Sequence, residues 1–204
     1  MDPQQPRTAG RPRDPGLDVA IRSAALDLLA EGGIDACALD EVARRAGVGK
    51  ATIYRRWASK DDLVLDAFRH SQAPPPPDDD RGSLVEDARA HLHALRASLD
   101  TPVARATRQL SPVVQARPEL AAVLRAGRAS VWDEAAAAVV RRAEERGEVA
   151  PGALPELALR SAAALVTQQW LVRREPVDDT LVDDLVDAVV RPHVPRGGRP
   201  AGSD

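Results

Sequence analysis

The chain has 204 residues, 44% of them hydrophobic and 29% charged, a balance typical of a folded globular protein and not of a disordered one. No run of about 18 apolar residues is present, so the sequence predicts no membrane span and no membrane partner. The net charge is −3, but residues 1–60 carry ten basic against eight acidic side chains, so the positive charge lies towards the N-terminus.

Two further features concern the compartment. A single cysteine, Cys37, excludes an internal disulfide. The first residues are rich in Pro, Gln and Arg and contain no apolar signal segment, so we expect a cytoplasmic location.

The chain begins with a basic arm, residues 1–16, that contains Arg11 and Arg13. Asp14 and Pro15 predict the start of a first helix, because an N-cap acid followed by proline favours that position. Its apolar residues recur at helical spacing, and the helix is expected to end near Gly32 and Gly33.

The segment from Leu39 to Asp62 carries two short helical patterns that meet at Gly47. Glycine there favours the left-handed residue that often ends a helix. In the second pattern Ile53 and Trp57 share the inner side, while basic and hydroxyl side chains form the outer stripe. The spacing indicates a helix-turn-helix, whose second helix enters the major groove of DNA. The alternative is an ordinary amphipathic helix pair with a solvated basic face.

The string AGVGKATIYRRWASKDDLV, residues 46–64, resembles the recognition helix and following helix of the TetR/AcrR transcriptional regulators, and the resemblance covers residues 17–68. It implies that Lys50, Ala51 and Arg55 meet base edges. It also implies that phosphates are held by Thr52, Tyr54, Arg56 and Lys60. The chain departs from the family pattern where Ala38 and Gly49 replace the usual hydroxyl caps, and losing such a cap costs about 0.5–2 kcal/mol for alanine and a few tenths for glycine.

The basic arm and the helix after the reading helix supply additional candidates. Arg11 and Arg13 are expected to reach phosphates or an adjacent minor groove, although a tail that only aids solubility is an equal alternative. Ser59 and Asp62 approximate a capping box, so the helix start near Lys60 also suits a phosphate.

The rest of the chain predicts a second helical domain. A Pro- and Asp-rich linker, residues 71–82, separates a helix-turn-helix domain at 17–70 from a ligand-binding and dimerisation domain at 83–191, followed by a tail at 192–204. No strand pattern is present, so the fold class is all-α with about nine helices, the first three forming the DNA-binding core.

The last two predicted helices indicate a homodimer. The segment 161–172 has no charge, and the helix over 178–190 is apolar on one face and acidic on the other, which we interpret as a solvated face. The resemblance implies a four-helix interface between two copies, and the alternative is that one protomer covers both faces itself. The interface candidates are Leu165, Trp170, Leu181, Leu185 and Val189.

A ligand cavity is expected among the middle helices. Trp132 is the leading wall candidate, with His91 and Gln168 as polar groups, although for each of them a core position with a satisfied polar tip is favoured over a ligand contact. The resemblance implies a repressor that binds a palindromic operator in double-stranded DNA and is released by a small-molecule effector, with no cofactor.

The rival classes are an enzyme and a helical protein-binding adaptor. His91 and His93 lie two residues apart on a predicted helix and point different ways, which makes a poor metal pair. No phosphate-cradling glycine loop or nucleophile setting is present, so catalysis is disfavoured. An adaptor would be indifferent to DNA.

Overall fold

A computed structural model describes residues 15–71, 75–152 and 155–194, and all regular structure in these ranges is helical. The α-helices are α1 (Pro15–Ala36), α2 (Leu39–Ala46), α3 (Lys50–Tyr54), α4 (Lys60–Arg69), α5 (Leu84–Ser98), α6 (Pro102–Leu110), α7 (Pro118–Glu145), α8 (Pro155–Gln168) and α9 (Asp179–Leu185). Short π-helical turns extend α8 through Gln169–Arg173 and α9 through Val186–Val190, and 3-10 turns cover Val114–Ala116 and Arg191–His193.

Side-chain caps and prolines set most of the helix starts. Ser59, Ser83, Thr101 and Asp178 each accept a hydrogen bond from the backbone amide three residues later, which satisfies one free donor of the first turn. Helices α1, α6, α7 and α8 each begin with proline. The two uncapped starts predicted at Ala38 and Gly49 are confirmed, since neither residue caps α2 or α3 through its side chain.

One hydrophobic core surrounds α1. Helix α1 kinks at Gly32 and Gly33, where the sequence predicts its end. Helices α2 and α4 pack on α1, and Ile53 and Trp57 complete the cluster from the segment that begins with α3. Residues well beyond the predicted domain boundary also belong to this core, namely Ala106 and Leu110 of α6 and Leu120 of α7.

A second core is formed by α5, α7, α8 and the segment that begins with α9. Leu84 and Leu92 of α5, Leu159 of α8 and Val186 after α9 are fully buried there. Helix α6 contributes Ala104 to this core and Leu110 to the first, so α6 lies between the two.

The segment between the cores is not helical over residues 75–80, as the proline tract predicts. It is held by ion pairs to the C-terminal part of α7. Arg146 binds Asp80 at 2.6 Å and the buried carboxylate of Asp87 at 3.0 Å. The exact domain limits stay a prediction, because α6 and α7 contribute to both cores.

Candidate DNA-reading face and effector cavity

The turn between α2 and α3 has the geometry that the sequence predicts. Gly47 adopts a left-handed conformation with φ of 68°, and the amide of Val48 donates to the carbonyl of Ala43 at 3.0 Å. Ile53 and Trp57 then enter the core, so the opposite side of α3 faces solvent.

The exposed side of α3 consists of Lys50, Ala51, Tyr54 and Arg55, with Thr52 half-buried at its flank. The predicted orientation of the outer stripe is therefore confirmed, although the α-helix ends at Tyr54 and is shorter than expected. The face is narrow, unobstructed and rich in donors, which is the form that an element entering the major groove requires.

Several basic side chains around this face form ion pairs with acidic side chains. Lys50 Nζ lies 2.6 Å from Asp40 Oδ2, and the hydrogen bond to Asp40 raises the pKa of Lys50. Arg45 similarly pairs with Glu31 at 2.5 Å. The guanidinium of Arg55 has no hydrogen-bond or ion-pair partner among the described residues, so it is the most available donor on α3.

Two of the predicted phosphate contacts have other roles. The side chain of Arg56 is only 15% exposed, with Nε 2.6 Å from Asp18 Oδ1 and Nη1 donating to the carbonyl of Thr52. Arg56 thus joins the end of α3 to α1, and its contact with a DNA phosphate stays a prediction. Lys60 Nζ donates to the carbonyl of Ile34 at 3.0 Å, and its contact with DNA stays a prediction.

A hydrogen-bonded group centred on Asp66 fixes the end of the reading segment. Asp66 accepts from Arg22 Nε at 2.8 Å and from the indole N–H of Trp57 at 3.0 Å. Partial burial raises the pKa of Asp66, but the hydrogen bonds from Arg22 and Trp57 outweigh that effect and leave it below its usual value. α1, α4 and the turn after α3 are thus tied together.

Among the described residues, a cavity of about 860 Å³ opens between α5, α6, α7 and α8. Cavities of this size hold drug-sized molecules. Trp132 and Gln168 line it, as predicted for a ligand site, and whether they bind a ligand stays a prediction. The apolar part of the wall includes Leu95, Leu99, Val114, Leu124, Trp170 and Leu171.

His91 lies behind this wall and does not line the cavity. Its ring is 1% exposed and meets Trp132 edge-on, with 5.2 Å between ring centroids. Burial lowers the pKa of His91 to about 4, so the imidazole is neutral at pH 7. Its Nδ1 has no hydrogen-bond partner among the described residues.

Comparison with known proteins decides the family. Residues 21–67 match the model of bacterial regulatory proteins of the tetR family, and residues 78–189 match the tetracyclin repressor-like C-terminal domain. The chain belongs to the TetR family of transcriptional regulators. It is therefore a DNA-binding regulator with an N-terminal helix-turn-helix domain, and its family is one of regulators and not of enzymes.

Individual relatives support the same conclusion. The chain is 32% identical over 87% of its length to the uncharacterized HTH-type transcriptional regulator YdeS of Bacillus subtilis, covering 89% of that protein. It is 30% identical over 85% of its length to the DNA-binding transcriptional repressor TetR of Mycobacteroides abscessus, covering 93% of it. The solved structure of the TetR family regulator SCO0332 is 28% identical with a TM-score of 0.61, the match covering 88% of this chain and 99% of that one. A TetR regulator from Agrobacterium tumefaciens, 22% identical, shares the fold with a TM-score of 0.69, over 88% and 95% of the two chains.

Cys37 of this TetR-family chain is a buried core residue and not a reactive thiol. Cys37 is fully buried, and burial raises the pKa of its thiol to about 11, so a thiolate is not available at neutral pH. In the described ranges, no helix is both long enough and apolar enough to cross a bilayer.

The two sides of α8 differ in burial within the protomer. Leu159 and Val166 are buried in the protomer, while Ser161, Leu165 and Gln168 are exposed, Leu165 by 49%. Trp170 lies on the buried side at 9% exposure, with the Arg108 guanidinium over its ring. The Trp170 ring forms part of the cavity wall in the protomer, and the assignment of Trp170 to the dimer interface stays a prediction.

The apolar residues of the last helical segment also fall into a buried set and a half-buried set. Val182, Val186 and Val190 are buried inside the protomer, whereas the three predicted interface residues of this segment, Leu181, Leu185 and Val189, stay half-buried at its edge. Their place in a dimer interface stays a prediction.

The aspartates of the last helix form ion pairs that the sequence interpretation missed. Asp179 lies 2.8 Å from Arg96, and Asp183 lies 3.0 Å from Arg89 and 3.4 Å from His93. Matching acidic and basic residues at helical spacing on α5 and α9 was the available signal. These pairs hold α9 against α5.

Proposed function

We propose that this regulator is a homodimeric repressor that binds a palindromic operator and is released when a small molecule enters the 860 Å³ cavity. The observation that carries the proposal is the exposed donor-rich side of α3, presented by a segment whose other side is buried. Such a regulator works in the compartment that holds the DNA, so we place it in the cytoplasm.

Within this proposal, Arg55 reads a base edge. Its guanidinium can donate twice to guanine O6 and N7, and it gives up no described partner to do so. Lys50 and Ala51 contact neighbouring bases, with Lys50 exchanging Asp40 for DNA.

Phosphate contacts fix the register of the reading helix. We assign these contacts to Thr52 and Tyr54 on α3 and to Lys60 at the start of α4. Arg11 and Arg13, which lie outside the described residues, add contacts from the arm.

Dimerisation follows from the exposed side of α8, because an uncharged stripe that contains Leu165 has no cover within the described protomer. The half-buried residues Leu181 and Leu185 of α9 are further candidates for the same interface. Two copies related by a two-fold axis present two reading helices, which matches an operator with two-fold symmetry.

Helix α6 supplies a physical route from cavity to DNA. Thr107 and Ser111 line the cavity, while Ala106 and Leu110 on the other side of α6 are buried against the core that contains α1. A ligand that moves α6 therefore displaces a helix packed on the reading domain. The ligand releases DNA if it binds the displaced arrangement more tightly.

The experiment is nuclease protection with purified protein on genomic fragments. We expect protected sites that are palindromic, with half-site centres about 10 base pairs or a multiple of that apart. Binding should weaken steeply with salt, because phosphate contacts release counterions. Protection without symmetry would contradict the dimeric operator, and no protection at any salt would contradict DNA reading by α3.

A further inference from the structure

Six buried polar side-chain atoms make no hydrogen bond among the described residues. Four of them lie within ion pairs, since Arg56 meets Asp18, Arg96 meets Asp179 and Arg142 meets Asp87. The remaining two are Nδ1 of His91 and Nε of Arg108. A buried polar group without a partner costs free energy, so an unmet group needs an explanation.

Both unmet groups lie against tryptophans of the cavity wall. His91 contacts Trp132, and the guanidinium carbon of Arg108 lies 5.1 Å from the centre of the Trp170 ring. Since Trp132 and Trp170 both line the cavity, the unmet groups border the space that a ligand would fill.

Arg108 differs from His91 in carrying a full charge. It makes no ion pair among the described residues, and its contact is the face of Trp170. Arg108 lies three residues before Ser111 on α6, a spacing that places both on neighbouring positions of one helix face, and Ser111 lines the cavity.

Arg160 is the one cation among the described lining residues of the cavity, where Arg108 itself is not included, and Arg160 has an acidic partner. Arg160 Nε lies 3.4 Å from Asp133, which lines the cavity as well. These two charges offset each other, whereas Arg108, beside this wall, has no acidic partner among the described residues.

The hydroxyl groups of the cavity wall already donate hydrogen bonds to the main chain. Thr107, Ser111, Ser161 and Thr167 each donate to a carbonyl of their own helix at 2.7–2.9 Å. They can accept hydrogen bonds but have no proton left for an anion. Beside neutral donors such as the Gln168 amide, a negatively charged group would find at Arg108 a charged donor without an acidic partner among the described residues.

We infer that the effector is an amphipathic monoanion, with an apolar body in the cavity and one carboxylate or similar group bound by Arg108. This inference rests on the proposed effector role of the cavity. The apolar wall takes the body of the ligand, and the anion supplies the charge and acceptors that the guanidinium lacks. Because Arg108 is on α6, the same contact acts on the helix that packs against α1.

The test uses two probes of nearly equal shape, decanoate and decanamide, which differ in charge but both keep a carbonyl. Calorimetric titration of the full-length protein should show decanoate binding at least about tenfold more tightly, as one charge-assisted interaction implies. Arg108→Gln should abolish the preference, and Arg108→Lys, which keeps the charge, should restore part of it. Arg105→Gln, at an exposed residue of the same helix, is the matched control and should keep the preference, and Arg160→Gln tests the other cation at the cavity.

Equal binding of the two probes, or binding of neither, would overturn the inference. Loss of the preference in Arg160→Gln but not in Arg108→Gln would also overturn it. Thermal unfolding of each variant confirms that it is folded before titration. Operator release is measured separately: decanoate that binds with the expected preference but leaves DNA bound would contradict effector release and leave the ligand class standing.

Discussion

The DNA-binding domain and the C-terminal domain differ in how their buried polar groups are paired. Around α3, Asp66 joins Arg22 and Trp57, and Arg56 joins Asp18, so the polar groups that position the helix are paired. Beside the cavity, His91 and Arg108 are left without hydrogen-bond partners among the described residues. Pairing gives a rigid surface that can be matched to DNA, whereas unmet groups give a site that a ligand can complete.

The exposed sides of α3 and α8 show a second contrast. Helix α3 exposes Lys50, Tyr54 and Arg55, and α8 exposes an uncharged stripe that contains Leu165. Charged donors suit phosphates and base edges, and an apolar stripe suits a second copy of the same chain.

The largest effect is expected for Leu165→Asp, which tests the partner assigned to α8. A symmetric interface would lose two buried leucines and gain two facing charges, costing about 4 kcal/mol or more and raising the dimer dissociation constant about a thousandfold. Sedimentation equilibrium measures the change. Val19→Asp, at an apolar residue of α1 that is also exposed, is the control. An unchanged dimer in Leu165→Asp would show that α8 is not the interface.

His91→Phe tests whether the buried imidazole, whose Nδ1 has no hydrogen-bond partner among the described residues, lowers the stability of the protein in acid. An unfolded histidine binds a proton below about pH 6.5, but burial lowers the pKa of folded His91 to about 4. The unfolded state therefore takes up more protons between these values, and wild-type stability falls as the pH drops from 6.5 to 4.

The His91→Phe variant should not show this loss of stability, which amounts to about 3 kcal/mol at pH 4 in the wild type. At pH 7.5 its free energy of unfolding should be close to that of the wild type. Urea unfolding at a series of pH values measures it, with His193→Phe as the control. Parallel pH profiles for His91→Phe and wild type would contradict the account.

Asp66→Asn removes a carboxylate that is hydrogen-bonded to other side chains in the DNA-binding domain. Removing the charged acceptor of Arg22 and Trp57 should lower the free energy of unfolding by about 1–3 kcal/mol at pH 7. The depressed pKa of Asp66 means that its contribution is present above about pH 4 and is lost as the pH falls through the folded pKa.

The difference in unfolding free energy between Asp66→Asn and the wild type should therefore become smaller as the pH falls. Urea unfolding followed by tryptophan fluorescence measures it, and Asp35→Asn, at an exposed residue, should change little. A difference that persists at pH 2 would point to packing and not to charge.

The smallest effect is expected for Asp40→Asn. This change frees Lys50 from an exposed ion pair worth less than about 1 kcal/mol, so operator affinity should rise by about two- to fivefold. Fluorescence anisotropy at low and high salt measures it, and the gain should shrink as salt increases. Glu31→Gln, which frees Arg45 on α2, is the control. No gain at low salt would show that Asp40 does not compete with DNA.

Local sequence patterns were sufficient to predict the reading domain. The left-handed turn at Gly47 and the inward positions of Ile53 and Trp57 follow from residue type and helical spacing, because the signals are local and agree with one another. The helix start at Pro15 was predicted for the same reason.

Long-range contacts were not predictable in this way. Arg56 looks like a phosphate contact in sequence, yet it pairs with Asp18, 38 residues earlier. Trp170 is buried within the protomer, and helical spacing alone does not say which side of the α8 segment the rest of the protomer covers. The role of Arg108 depends on α6 lying beside α8, and no local pattern specifies that contact.

The central claim is that the free side of α3 reads bases, and Arg55→Ala tests it most directly. Affinity should be measured for the protected site and for a set of single base-pair changes in it. The account predicts a loss of about 1–3 kcal/mol and lost discrimination at one symmetric pair of positions, whereas Lys60→Ala weakens all sequences alike. Unchanged discrimination in Arg55→Ala, or the same uniform loss in both variants, would contradict it.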